Sequence, residues 1–561
     1  MTKERSNSDS QLIVQGSILA GASIISRIIG LVYRIPLTAI IGKTGNDYYG
    51  TAYEIYNILL IISSYSIPLA VSKLVAARAA KAEQGNVMRV LKGSLLFASI
   101  TGSAGMFIIL FFNEELCAFL KTPFAAPALT VLGPVILIVA LLGVFRGFFQ
   151  GLSTMVPTAI SQIIEQITNA VISIVCAYAL FSYGQKAGKI LVNAENTAAS
   201  YGAAGGTMGT AAGAIAALLF ILFLFLGFYA KYKKKIRKKI SKGAIENRES
   251  YSSLIKILVL TIVPVLLSTT IYNISSIIDQ TLFKNIAVTQ GYEAKQISEW
   301  WGVYAGQFRV LINVPISIAS AMASSAVVSL TKAFMLGKRA SVKRQITSAT
   351  RFTMLIAFPC TAGLMALSGP LMMLLFSDTD RTSSVMMLAG AISVVFFSLS
   401  TLSNGLLQGV DRLRIPVINA AISLGLQALL LILLMRVFNL NIYAVIIANA
   451  FYALLMCVLN NIALTRHANV RLNFVTTFVQ PAAASAVMGV LTFLFYRAMH
   501  YITHSNTIST IISIIFGVIV YALILLLTRT ISREEVERFP KGRKIAMLLT
   551  KMRLLPDEKR R

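Results

Sequence analysis

Two stretches, RGFFQGLSTMVP at residues 146–157 and NGLLQGVDRLRIP at residues 404–416, decide how this chain folds. The first carries Gly147, Gln150 and Gly151 as G-x-x-Q-G and the second repeats it with Gly405, Gln408 and Gly409. Pro157 and Pro416 follow in matching places, each opening the next apolar run. The offset is 258 residues for the glycines and glutamine and 259 for the proline. One such match carries little information. Recurrence at the end of the fourth and of the tenth apolar run carries much more, because it places the same motif at the same depth and on the same side of a membrane.

The apolar runs extend over about 14–41, 48–75, 90–112, 129–150, 156–183, 200–230, 255–282, 303–328, 346–367, 383–407, 415–437, 442–464, 475–499 and 507–528. Each is long enough for a transmembrane helix. Of the 561 residues 56% are hydrophobic and 13% charged, with a mean hydropathy of +0.74, whereas a soluble chain carries about a quarter charged residues. The predicted fold is therefore an all-α polytopic membrane protein of about fourteen helices. Because the two motifs lie six spans apart, the halves share one orientation and form two parallel six-helix repeats, with two C-terminal helices added. The predicted segments are the first repeat (1–230), a basic cytoplasmic linker (231–254), the second repeat (255–465), helices 13 and 14 (466–531) and a basic cytoplasmic tail (532–561).

The net charge of +29 is explained by where the cations fall. Connections on one side hold Arg78, Lys81, Arg89 and Lys92, then eight cations between Lys231 and Lys242, then Lys332, Lys338, Arg339, Lys343 and Arg344. Those on the other side hold isolated cations such as Lys43, Lys121, Lys284 and Lys295. This asymmetry places both termini in the cytoplasm and accounts for the basic balance without nucleic acid. The run KYKKKIRKK at 231–239 suits anionic headgroups, and the tail suits a basic interfacial helix. Trp300 and Trp301 read as an outer interfacial anchor. Neither the scattered Cys117, Cys176, Cys360 and Cys457 nor the spacing of His500 and His504 offers a metal or disulfide framework.

Ionisable residues at membrane depth are costly, and each is a functional candidate. Arg27 and Arg34 lie two turns apart on one face of helix 1. Glu54 falls on helix 2, Arg146 on helix 4, Glu165 on helix 5, Asp279 near the outer end of helix 7 and Arg309 on helix 8. The arginine fork suits a phosphate or pyrophosphate. Arg27, Arg34, Arg309, Glu54 and Asp279 are thus candidate substrate-binding residues, and Arg146, Gln150, Glu165 and Gln408 candidate gate or coupling residues. Two other readings stand beside these: the charges neutralise one another as a structural network, and the glutamines cap helix ends. The acids could hold a coupling cation, Na+ or H+; no other cofactor and no resident metal is expected.

The segments SRIIGLVYRIPL (26–37), YGTAYEIYN (49–57), IPLAVSKLVA (67–76) and RGFFQG (146–151) together resemble stage V sporulation protein B and the MurJ-type flippases of the multidrug/oligosaccharidyl-lipid/polysaccharide exporter superfamily. The resemblance implies alternating-access export of lipid II, an undecaprenyl-pyrophosphate glycan, from the inner to the outer leaflet in peptidoglycan biosynthesis and maintenance of cell shape. It implies a cationic cavity to which Arg27, Arg34 and Arg309 carry over, and a lipid-tail groove formed by helices 13 and 14. Many Gram-negative relatives follow the second helix 1 arginine with an acid; here Ile35 and Pro36 follow Arg34, as in the Gram-positive branch. The expected partners are the lipid-linked substrate, membrane lipids and the cell-wall synthesis machinery. The alternatives are export of another lipid-linked polysaccharide precursor and cation-coupled drug antiport in the same superfamily. No Walker A sequence and no clustered His, Asp and Glu point to an ATP-driven pump or an enzyme.

Overall fold

The computed structural model describes residues 21–189, 193–240, 249–412, 414–470 and 472–528, with the single residues 19 and 530. The tail at 532–561 and residues 241–248 of the linker lie outside the described residues. Among those described, every regular element is a helix: α1 (Gly21–Val32), α2 (Arg34–Leu60), α3 (Ile67–Ala80), α4 (Gln84–Phe119), α5 (Ala126–Gly151), α6 (Val156–Gly188), α7 (Ala194–Ile240), α8 (Tyr251–Thr289), α9 (Ala294–Val303), α10 (Arg309–Met335), α11 (Arg339–Ala366), α12 (Ser368–Phe376), α13 (Arg381–Gly390), α14 (Ser393–Gly409), α15 (Arg414–Arg436), α16 (Asn441–Ala468), α17 (Gln480–Thr503) and α18 (Asn506–Leu527). Ten of the described helical stretches are long and apolar enough to cross a membrane, or eleven if α13 and α14, bent by 43°, make one span. Among the described residues each predicted apolar run lies largely in helix.

Two compact units divide the chain. One comprises 1–307 and 431–442, the other 308–430 and 443–561. The packing boundary thus falls between Gln307 and Phe308, after α8 and α9, whereas the predicted repeat boundary lies in the linker. The difference has a physical source in the first unit. Leu254 and Leu258 of α8 enter an apolar cluster with Val87, Val90 and Leu91 of α4. The buried Arg78 donates to Glu249 at 2.5 Å, and the Arg89 guanidinium lies 4.6 Å from the centre of the Tyr251 ring.

α2 is itself broken at Gly42, at φ +70°, where the chain turns back on its own first residues. Only glycine adopts that backbone cheaply. Asn46 closes the turn by donating to the Gly42 carbonyl at 2.7 Å and the Thr38 carbonyl at 3.3 Å. Residues 43–47, expected as a connection, are thereby drawn into the helix, and Asp47 becomes a buried residue. Farther along, the π-turn Ile61–Tyr65 precedes Pro68, where the missing backbone donor would otherwise interrupt the ladder.

The paired G-x-x-Q-G motifs mark equivalent helix contacts. In the first unit α5 meets α3, and a Cβ on Gly151 would lie 2.7 Å from both the Ser72 carbonyl oxygen and the Val75 Cβ. In the second unit α14 meets α10, where a Cβ on Gly405 would lie 2.8 Å from the Ala323 Cβ and one on Gly409 would lie 2.9 Å from Leu330. The same motif thus lets span 4 approach span 2 and span 10 approach span 8. Gly151→Val is expected to destabilise the protein by about 1–3 kcal/mol through overpacking. A thermal melt in detergent checks this, and an unchanged midpoint would show that α3 and α5 are not this close.

Two expectations are corrected here. Trp301 is 1% exposed; it stacks on Phe283 at 5.7 Å between ring centres and packs on Tyr304, so it is core and not an interfacial anchor. Lys284 is likewise 1% exposed and is no loop cation. In the second unit, α17 and α18 stack through Phe495 and Phe516 at 4.0 Å. They fasten to α11 where Tyr521 donates to the Leu355 carbonyl at 2.9 Å.

Candidate functional site

The reversal at Gly42 forms a hairpin that returns the second part of α2 against Tyr33 and Arg34 at its own start. Tyr49, Tyr53 and Tyr56 form one stripe there through their i, i+4, i+7 spacing. The rings of Tyr49 and Tyr53 lie 4.6 Å apart, and the Arg34 guanidinium carbon sits 5.5 Å and 5.9 Å from their centres. Hydroxyls fix the platform in place. The Tyr33 and Tyr49 hydroxyls are 3.4 Å apart, and Asn169 of α6 donates to the Tyr33 hydroxyl at 3.4 Å. Ser173 and Thr210 of α7 both donate to Asn169 Oδ1, at 2.9 Å and 3.4 Å, while Tyr53 bonds Thr210. Three segments of the first unit, the hairpin, α6 and α7, therefore hold one half-buried arginine.

The electrostatics of this arrangement are unusual for membrane depth. Among the described residues Arg34 rests on aromatic faces and not on a carboxylate. A cation over a tyrosine face gains about 0.5–2 kcal/mol, which offsets much of the roughly 2.5–3.5 kcal/mol cost of placing arginine at the centre of a membrane helix. The π faces satisfy charge without consuming N–H donors, and a side-chain hydrogen bond to Tyr33 takes only part of the guanidinium edge. The remaining donors suit an oxyanion.

The other candidates separate by neighbourhood. Arg146 and Glu165 form a direct ion pair at 2.7 Å, and Arg146 also donates to Ser161 at 2.9 Å. This pair ties α5 to α6. Arg27 is exposed; Glu54 is half-buried and next to Tyr53 in the chain; Asp279 is 2% exposed on α8. Gln150 is half-buried and Gln408 exposed. Arg309 is the half-buried first residue of α10, directly after the π-turn Tyr304–Phe308, and belongs to the second unit. There Asn404 takes the place that Arg146 has in the first motif. Asn460 donates to Asn404 at 2.6 Å and to Ser403 at 3.1 Å, and Asn419 donates to Asn460 at 2.8 Å. The equivalent position is charged in one repeat and neutral in the other.

Sequence reasoning missed one cluster. Lys284 Nζ lies 2.5 Å from Asp47 Oδ1 and donates to Thr122 at 2.6 Å, and Ser298 donates to Asp47 Oδ2 at 2.7 Å. Both charged residues sit at run ends, where hydropathy assigns them to loops. The asparagines and serines inside spans were the legible signal for the networks around Asn169 and Asn460.

Similarity to known proteins agrees with this architecture. The family described as "Polysaccharide biosynthesis protein" matches residues 13–245. The chain is 23% identical over 496 residues to the lipid II flippase MurJ of Bacillus subtilis (strain 168), covering 86% of this chain and 88% of the relative. A solved structure of lipid II flippase MurJ in an inward closed conformation superposes with a TM-score of 0.61 at 15% identity, over 90% of this chain and 97% of that one. An inward-facing multidrug resistance MATE family transporter superposes with a TM-score of 0.62 at 14% identity, over 82% and 98%. The apolar spans and these likenesses agree: the chain is similar to the polysaccharide biosynthesis family over its first 245 residues and to the MurJ flippase over most of its length, and it shares the fold of the solved MurJ and MATE transporters.

Proposed function

We propose that this protein is a lipid II flippase, moving the undecaprenyl-pyrophosphate glycan from the inner to the outer leaflet by alternating access. The observation that carries the reading is Arg34, a guanidinium at membrane depth held by Tyr49 and Tyr53 with its donor edges free of any carboxylate among the described residues. A pyrophosphate and a polar glycan cannot cross hydrocarbon unaided, because their desolvation is prohibitive. A cationic site replaces the lost hydration while the prenyl tail stays in lipid. Arg27 serves the same anion, Arg309 is a substrate-binding residue of the second unit, and Glu54 and Asp279 orient the arginines of the first unit or hold a coupling Na+ or H+. Arg146 with Glu165, and Gln150 with Gln408, act nearer the inner gate. The protein spans the bacterial cytoplasmic membrane with both termini inside, and its neighbours are the cell-wall synthesis machinery. An inside-negative potential favours outward movement of the anion by about 2.3 kcal/mol per charge per 100 mV.

The MATE-like fold keeps a second reading in view, cation-coupled export of drugs. A cationic drug would be repelled by Arg34, so that reading takes second place. The deciding experiment is complementation of a cell depleted of its lipid II flippase, with lipid II translocation measured in vesicles under an imposed potential. Growth and potential-dependent translocation are expected. Drug efflux without lipid II movement would favour the second reading, and translocation unaffected by collapse of the potential would remove potential as the driving force.

A further inference from the structure

A second polar surface lies beside the arginine platform in the same unit. Along α6, Gln162, Gln166, Asn169 and Ser173 recur at i, i+4, i+7 and i+11, so they share one face. Ser23, Arg27, Gly30 and Arg34 recur at the same intervals along α1 and into α2, because helical backbone continues through Tyr33 at φ −71° and ψ −23°. The two faces meet in register. Ser23 donates to Gln162 Oε1 at 3.3 Å, a Cβ on Gly30 would lie 3.4 Å from Gln166 Oε1, and Asn169 donates to the Tyr33 hydroxyl at 3.4 Å.

The members of the α6 face differ in what they already bond. Asn169 is engaged by Tyr33, Ser173 and Thr210, and Ser173 also bonds the Gly206 carbonyl. Glu165, beside them on α6, is taken by Arg146. Gln166 and the Nε2 of Gln162, by contrast, have no partner among the described residues, and both side chains are half-buried with their amides open to the surroundings. Amides that glue membrane helices together bond the facing helix; Gln166 faces a glycine instead. An unpaired amide in hydrocarbon is costly, so two of them one turn apart on a membrane helix mark a surface that a polar ligand visits.

The chemistry of that ligand follows from the absence of charge. An anion is matched by Arg34, and a cation would need a carboxylate that is not already paired. Neutral amides donate and accept at once, which suits the hydroxyl and acetamido groups of a sugar. Gln166 lies one turn from Asn169 and hence from the corner at Tyr33 and Arg34, about 4.5 Å along the helix axis, and Gln162 lies about 10.5 Å away in the same direction. The succession arginine, amide, amide matches the order pyrophosphate, sugar, sugar in a lipid-linked disaccharide. We infer that Gln162 and Gln166 of α6 form a glycan subsite that binds the sugars next to the pyrophosphate held at Arg34. The inference rests on the flippase reading and names the residues by which one lipid-linked glycan is preferred over another.

Gln162→Leu and Gln166→Leu keep much of the side-chain volume and remove the amides. Binding to the purified full-length protein in nanodiscs is measured with two probes, lipid II and undecaprenyl pyrophosphate, alongside the melting midpoint. Each variant is expected to bind lipid II about tenfold more weakly, to bind the glycan-free lipid as the wild type does, and to melt with the wild type. Gln166→Asn, which keeps an amide on a shorter stem, is expected to recover part of the loss. Unchanged lipid II affinity in both leucine variants would overturn the subsite. Equal weakening toward both lipids would assign the glutamines to the anion, and a collapsed midpoint would assign them to helix packing; either result removes the glycan role. A wild-type protein that binds neither lipid would instead sink the flippase reading, and the subsite with it.

Discussion

Arg34→Ala is expected to reduce lipid II translocation about ten- to a hundredfold, because the anion loses a charge-assisted contact of about 1.5–3 kcal/mol and each 1.4 kcal/mol is a factor of ten. The effect should fall on transport and not on folding. Removing the guanidinium forfeits two cation–π contacts to Tyr49 and Tyr53, but it also removes the cost of a cation at membrane depth. With both terms near 2–3 kcal/mol they largely cancel. Arg34→Lys keeps the charge and loses the fork, so its activity should be intermediate. The measurement is initial translocation rate in proteoliposomes alongside the melting midpoint. A fully active Arg34→Ala protein would remove Arg34 from the site, and a collapsed midpoint would make its role structural.

The second large effect concerns stability. Lys284→Ala leaves the Asp47 carboxylate, whose side chain is 1% exposed, with hydroxyl donors only. Breaking one side of a buried ion pair costs about 3–5 kcal/mol. A marked fall in the detergent melting midpoint is expected. Asp47→Asn/Lys284→Met removes both charges and should recover most of the loss, since neither partner is then stranded. If the single variant melts with the wild type, the pair contributes nothing to holding α8 on α2.

The candidates differ in how readable they were. Arg34 was legible because a cation inside a long apolar run is conspicuous, yet its tyrosine platform was not. Tyr49 and Tyr53 lie beyond a turn at Gly42, and only the reversal of the hairpin brings them back to the arginine. Arg146 and Glu165 were both noticed as intramembrane charges, but their separation of 19 residues across a helix break gave no sign that they bond each other. Asp47 and Lys284 were lost for the opposite reason. Each lies near the end of an apolar run, where a charge is cheap and unremarkable.

Hydropathy determined the all-α class and a polytopic chain of ten or more spans, since membrane helices satisfy their backbone internally and are dictated by local composition. The glycines of G-x-x-Q-G even foretold a close helix contact, although not its partner. Tertiary structure alone decided which charges meet. Asp47 and Lys284 are 237 residues apart, and contacts between residues so distant in sequence follow from how whole helices pack, not from the pattern within any one of them. The same physics moved α8 and α9 into the first compact unit, where a polar junction at one end and an apolar cluster at the other outweigh their place in the repeat.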